Sequence, residues 1–205
     1  MIRTYSKHAA ALSKASTHFK VTEFACNDGS DKILIDDKLV ELLEFIRGYF
    51  NKPVTITSAY RTASYNKRVG GAANSQHTKG TAADIVVKDV DPTEVVKAAE
   101  LFLGSSGGIG LYTISKFTHV DTRANQSRWH EIKRGKTATR GRFEVAKKEE
   151  EMIKPEKRTI IIDGKTEEVD GVFVGGINYG SIRQIAQKLG YNVSNKGSIP
   201  ILTKK

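Results

Sequence analysis

The chain has 205 residues, enough for one core or for one core and a small module. Hydrophobic residues make up 39% and charged residues 27%, and the longest apolar runs are far too short to span a bilayer, which excludes a helical membrane protein. A formal charge of +10 favours a polyanionic partner, either nucleic acid or an anionic bacterial wall, and a single cysteine, Cys26, excludes an intramolecular disulfide.

Residues 1–17 are polar and small and read as a loosely held arm. The opening residues lack the continuous apolar core of a secretory signal. Synthesis in the cytoplasm is therefore expected, with any extracellular target reached by another route. Phe19 and Phe24 read as core contacts and Cys26 as a small buried thiol. Asn27 to Asp31 is a turn by composition. Asp36 to Tyr49 reads as an amphipathic helix capped by Asp36, because Leu39, Leu42, Leu43 and Ile46 recur at helical spacing. Val54 to Ser58 is a β-branched run and so a strand. Tyr65 to Val69 reads as a short helix. Gly70 to Ser75 is a small-residue loop that lacks the Gly-Lys-Ser/Thr end of a phosphate-binding loop.

Asp84 to Val87 is a second strand. Asp91-Pro92 opens a helix that runs through Phe102 and stops at Gly104 to Gly108. Ile109 to Tyr112 and Phe117 to Asp121 read as a hairpin. Helix, strand, loop, strand, helix and hairpin make an α+β domain over residues 1–130, with a small, mostly antiparallel sheet lining the site. Residues 131–157 are rich in Lys, Arg and Glu and read as a solvated linker; aromatic interleaving is nearly absent, so nucleic acid is not expected as a partner. From residue 158 the chain becomes foldable again. Strands over Thr159–Ile162 and Val172–Gly176, a helix over Tyr179–Gly190 and a strand over Ile199–Leu202 make a small ββαβ module.

Two stretches stand out chemically. Ser75-Gln76-His77-Thr78-Lys79-Gly80-Thr81-Ala82-Ala83-Asp84 holds a His and an Asp seven positions apart, and Thr118-His119-Val120-Asp121 sets a second His in a strand. Two imidazoles and one carboxylate are a complete protein shell for a catalytic zinc, with the fourth position open. Residue types alone leave a bland alternative open: histidines satisfied in the core or at the surface and an Asp at a turn, with no HExxH or CxxC to decide. His119 and Asp121 are two apart in a strand and share a face. Asp121 there can orient a ligand, hold a substrate group or act as a base.

The run from Thr55 to Asp84, TITSAYRTASYNKRVGGAANSQHTKGTAAD, resembles the M15 zinc peptidases, the D-Ala-D-Ala carboxypeptidase family with many phage and bacterial peptidoglycan peptidases. Its Ser-x-His-x-x-Gly-x-x-x-Asp segment, the later His-x-Asp and the upstream SAYRT segment carry the likeness. Phe19 to Cys26 matches the FxxxEFxC opening, and the resemblance covers about residues 18–129. It implies a hedgehog/DD-peptidase-like fold with Zn2+ held by His77, Asp84 and His119, and with Arg61 and Ser75 at the substrate. It also implies hydrolysis of peptidoglycan stem peptides, as a D,D-carboxypeptidase or endopeptidase of the endolysin type that acts on the wall after release. Anionic wall polymers are a further expected partner and a membrane is not.

Several branches of the family carry an acidic residue just upstream of the last ligand, where this chain has Ser115 to Thr118. Asp121 is therefore expected as the catalytic base, with His130 second, while Tyr60 and Trp129 are expected to pack. Hedgehog signalling domains, which resemble the family without established peptidase work, supply the alternative: a non-catalytic, zinc-containing wall-binding protein. Residues 158–205 resemble the copper amine oxidase N-terminal-like modules of wall-associated proteins. That likeness implies an accessory role in wall attachment or self-association and no copper, since the segment has no His.

Overall fold

A computed structural model describes residues 1–145 and, beyond them, the backbone of strands within 156–204. Contacts divide the chain into two compact units, Met1–Arg47 with Lys52–Val145 and Gly48–Asn51 with Ala146–Lys205. Among the described residues no helix is long and apolar enough to cross a membrane.

The first unit opens with strands β1 (Ile2–Ser6) and β2 (Lys32–Asp36), paired antiparallel from Ile2 opposite Asp36 to Ser6 opposite Lys32. The arm expected to be loose is thus partly a strand. Its residues, exposed at Ile2 to Thr4 and half-buried at Tyr5 and Ser6, carry too weak an apolar signal to be read in sequence. Helix α1 (Asp37–Phe50) follows at once. Asp36, expected as its cap, ends β2 instead, and its carboxylate accepts a hydrogen bond from the Thr122 hydroxyl at 2.6 Å.

A six-stranded sheet forms the body of this unit. Its strands are β3 (Val54–Ser58), β4 (Ala82–Val87), β5 (Gly108–Tyr112), β6 (Phe117–Asp121), β7 (Ser127–Lys133) and β8 (Lys136–Thr139). The order across the sheet is β3-β4-β6-β5-β7-β8, antiparallel throughout except for the parallel pair β5 and β7. Helix α2 (Ala63–Arg68), capped by the Thr62 hydroxyl, precedes β4, and helix α3 (Pro92–Leu103) leads from β4 to β5. Asp91 caps α3 by accepting from the Thr93 N–H, with Pro92 in its first turn. The α+β class and the mostly antiparallel sheet agree with expectation. Residues 131–139, expected in a linker, are instead strand in β7 and β8. Their charge hid the strands, of which β7 buries Arg128 on one face and Glu131 on the other.

Strand alternation gives the sheet two unlike faces. One carries Ile85, Val87, Ile109, Leu111 and Val120, all buried, and packs against α3. Phe45 of α1 meets Phe102 of α3 at 5.3 Å between ring centres. Phe19 and Phe24 are also buried, as expected, and Cys26 is a buried free thiol.

At the end of the core face, Glu100 of α3 is fully buried and held by two guanidinium groups. Arg128 Nε lies 2.5 Å from one oxygen and Arg142 Nε 2.5 Å from the other. Arg128 also donates to the carbonyls of Gly104, Ser106 and Gly107, which pins the turn between α3 and β5.

In the second unit, β9 (Glu156–Ile162), β10 (Lys165–Val174), β11 (Ile177–Tyr179), β12 (Tyr191–Lys196) and β13 (Ile199–Lys204) form a sheet in the order β11-β10-β9-β13-β12. Strands β11 and β12 are additions to the ββαβ expectation, and the helix expected up to Gly190 lies outside the described residues from 180 onward.

Removal of Arg128 strands a buried carboxylate, whereas Arg142 is half exposed. Arg128→Ala is expected to cost about 3–5 kcal/mol in urea unfolding and Arg142→Ala about 1 kcal/mol or less.

Candidate metal centre

The other face of the sheet carries the chemistry. Asp84 of β4 lies directly opposite His119 of β6, so both side chains leave the same face. His77 arrives from a single 3-10 turn, Gln76–Lys79. Ser75 caps that turn by accepting from the His77 N–H at 3.3 Å. Gly80 closes it at φ 73°, in the left-handed region, with Leu34 so near that any Cβ would strike its backbone.

The three groups meet. His77 Nε2 lies 3.2 Å from His119 Nδ1 and 3.3 Å from Asp84 Oδ1, and His119 Nδ1 lies 2.9 Å from Asp84 Oδ1. All three residues are buried. The far nitrogen of each ring is already used: His77 Nδ1 donates to the Ala59 carbonyl at 2.7 Å, and His119 Nε2 faces Asp121 Oδ2 at 3.1 Å. These outer bonds leave the inner nitrogens to face one another with lone pairs, beside a carboxylate oxygen, and only a cation satisfies all three. The donor set fits zinc, because a tetrahedral ion with bonds of about 2.0–2.1 Å has ligand edges of about 3.3–3.4 Å.

A proton can take the cation's place. Burial pulls the His119 imidazole down, but its hydrogen bonds to Asp121 and Asp84 outweigh it and push its pKa up to about 9. Burial likewise opposes ionisation of Asp84, yet its bonds to His119 and His77 hold it well below the usual carboxylate range. His77 is lowered, chiefly by burial.

The family described as Peptidase M15 matches residues 17–121, just over half of the 205 residues. The chain belongs to the M15 peptidase family. Among curated proteins, the peptidoglycan L,D-endopeptidase MepK of Escherichia coli K12 is 35% identical over 95 residues, covering 43% of this chain and 51% of that protein. The same-named protein of Shigella flexneri gives the same figures. A probable peptidoglycan L,D-endopeptidase MepK of Haemophilus influenzae is 38% identical over 80 residues, covering 37% of this chain and 42% of the relative. The chain spans about half the length of the curated relatives it matches.

Around the M15 triad, the other expected residues take varied places. Arg61 donates from Nε to Ser58 Oγ at 2.8 Å and from Nη2 to Asp84 Oδ2 at 2.5 Å, so it grips the ligand carboxylate. Its Nη1 has no bond among the described residues. Ser75 shapes the His77 turn. Trp129, expected to pack, does so against His119 at 5.0 Å and donates from its indole N–H to the Tyr112 hydroxyl at 3.0 Å.

Asp121, expected as the base, has both of its oxygens engaged. It is fully buried behind His119, and Arg123 takes both its oxygens, Nε at 2.8 Å from Oδ1 and Nη2 at 2.6 Å from Oδ2. Burial would raise its pKa, but His119 and Arg123 hold it far below the ordinary value. A carboxylate so engaged is placed to orient the His119 ring, one of the roles expected for it. His130, second in expectation, lies on the opposite face of the sheet from His119, by the register of β7 on β5. Glu131 shares the site's face but spends both oxygens on the turn after β5, on the Ile114 and Ser115 N–H groups and the Ser115 hydroxyl.

Three contributors escape a reading based on chemically reactive residue types. Arg123 completes the His119–Asp121 pair from two positions downstream. Gly108 and Gly110 of β5 sit opposite Asp121 and His119, and a Cβ there would strike the Asp121 carboxylate at 2.1 Å and the Trp129 indole at 2.4 Å. The signal available in sequence was the Gly-Ile-Gly spacing, two missing side chains on one face of a strand.

Gly108→Ala and Asp121→Asn are each expected to weaken zinc binding about 10- to 100-fold, measured by competition with a chelating dye. Zinc must displace the His119 proton. Uptake is therefore expected to release about one proton near pH 7.5, read by calorimetry in buffers of different ionisation heat. The affinity should rise roughly tenfold per pH unit up to about pH 9 and flatten above it. In the metal-free protein the sign is opposite. The raised His119 pKa adds stability that is complete below pH 6.5 and lost as pH rises through about 9.

Proposed function

We propose that the chain is a zinc-dependent peptidase that hydrolyses peptide bonds in the stem peptides of peptidoglycan, acting as an endopeptidase. The observation that carries this reading is the mutual approach of His77 Nε2, His119 Nδ1 and Asp84 Oδ1, three buried donors with their outer atoms already committed. The names of the relatives, peptidoglycan L,D-endopeptidases, support the substrate and the choice of endopeptidase over carboxypeptidase.

In this reading His77, Asp84 and His119 hold the ion. When bound there, zinc supplies a Lewis acid and lowers the pKa of a water to about 7. Asp121 and Arg123 keep His119 turned so that Nδ1 faces the centre. Arg61 draws Asp84 Oδ2 aside and leaves Oδ1 to the ion, and its free Nη1 can donate to a substrate carbonyl or carboxylate. The Tyr112 hydroxyl accepts from Trp129, so its own proton remains available to a substrate oxygen. The net charge of +10 favours accumulation on anionic wall polymers, which suits action at the wall.

The engagement of Asp121 and the absence of an acidic side chain among Ser115 to Thr118 favour a second reading, a zinc-containing wall-binding protein without catalysis. One experiment separates the two. Purified peptidoglycan is incubated with the zinc-loaded protein and the soluble products are read by mass spectrometry. Stem-peptide fragments are expected, absent after chelation or in His77→Ala, and restored to the chelated protein by zinc. Tight zinc binding with no product from any wall preparation would establish the second reading.

A further inference from the structure

Tyr112 ends β5 on the face that carries the metal ligands. Gly110 stands opposite His119, and Tyr112, two positions on, leaves the sheet on the same side. Tyr112 is half-buried, and two contacts fix its ring. Phe117, its partner on β6, stacks on it at 4.1 Å between ring centres and 14° between planes. The Trp129 indole N–H donates to its hydroxyl at 3.0 Å. That indole lies over Gly110, where a Cβ would meet its Nε1 at 2.4 Å, and its ring centre stands 5.0 Å from that of His119. One side chain therefore bridges a ligand ring and the phenol. The charges of Asp84, Glu131 and Arg61 all reach the phenol as well.

A phenol oxygen that accepts one hydrogen bond keeps its own proton to donate. Among the described residues the Tyr112 O–H donates to nothing. Its polar neighbours on this face are committed: Glu131 to the turn after β5, and Asp121 to His119 and Arg123. Burial pushes the phenol pKa up, so the group stays protonated at neutral pH. A neutral donor already fixed beside the ligands needs no reorganisation when negative charge develops next to it.

We propose that Tyr112 is a catalytic residue, donating a hydrogen bond from its hydroxyl to the scissile carbonyl oxygen as that oxygen becomes anionic. The proton stays on the phenol oxygen throughout, so Tyr112 acts as neither acid nor base. The assignment rests on the peptidase reading above and adds to that site a donor borne on β5.

The test uses the full-length, zinc-loaded protein and Tyr112→Phe, which keeps the ring and its stack on Phe117 and removes only the hydroxyl. Three quantities are compared: kcat and KM on a stem peptide that the wild-type protein cleaves, the affinity for zinc, and the affinity for a phosphinate analogue of the same peptide. The tetrahedral phosphinate carries its negative charge on oxygen, as the reacting carbonyl does, and its binding is read by calorimetry. Tyr112→Phe is expected to lower kcat about 100-fold, the loss typical of one such donor. KM should stay within about twofold, because the bond strengthens only as charge develops. Affinity for the phosphinate should fall by about the same 100-fold as kcat. Affinity for zinc should stay within about twofold, since the ligands and their outer bonds are untouched. A merely structural role, in which the phenol holds the indole against His119, would weaken zinc in step with kcat and overturn the assignment. Equal weakening of substrate and phosphinate would also overturn it. Undiminished kcat in Tyr112→Phe overturns the assignment and keeps the peptidase. Wild-type protein that cleaves no stem peptide overturns the peptidase reading, and the assignment falls with it.

Discussion

Each imidazole of the centre gives its outer nitrogen to a fixed acceptor, His77 to the Ala59 carbonyl and His119 to Asp121. Those two bonds decide which nitrogen of each ring points inward. Without them either ring could turn or change tautomer, and the inner pair would lose its shared direction. The acceptors differ in kind. Ala59 belongs to backbone just after β3, whereas Asp121 is a side chain that would itself be a buried uncompensated charge without Arg123.

The sheet makes this arrangement possible by keeping its two faces separate. The face against α3 is largely apolar, and at its margin the Glu100–Arg128–Arg142 cluster closes the turn leading into β5. Arg128 holds the Gly107 carbonyl, and the next residue, Gly108, leaves the space that the Asp121 carboxylate fills. Packing on one face thus sets the backbone position that the chemistry on the other face requires.

Much of this was legible in the chain. The set His77, Asp84 and His119 could be named because the Ser75–Asp84 segment and the later His-x-Asp resemble the M15 peptidases, residue types alone leaving it open, and α3 could be bounded because Asp91, Pro92 and Gly104 are strong local signals. Strand β1 was not legible, since its pairing depends on β2 and its own residues are mostly polar. Strands β7 and β8 were hidden by charge, for Arg128 is buried only against the distant Glu100 and Glu131 only where the turn at Ile114 and Ser115 supplies its hydrogen bonds. The role of Asp121 depends on which ring nitrogen His119 turns towards it. That is a tertiary fact: a two-residue spacing places the carboxylate near the ring without saying on which side.

The inner atoms of the triad already stand at ligand-like separations, held by bonds to the surrounding scaffold. A zinc finger relies on its ion to organise the chain; here the pairing of β4 with β6 and the bonds to Ala59 and Asp121 place the three inner atoms through the chain's own hydrogen bonding.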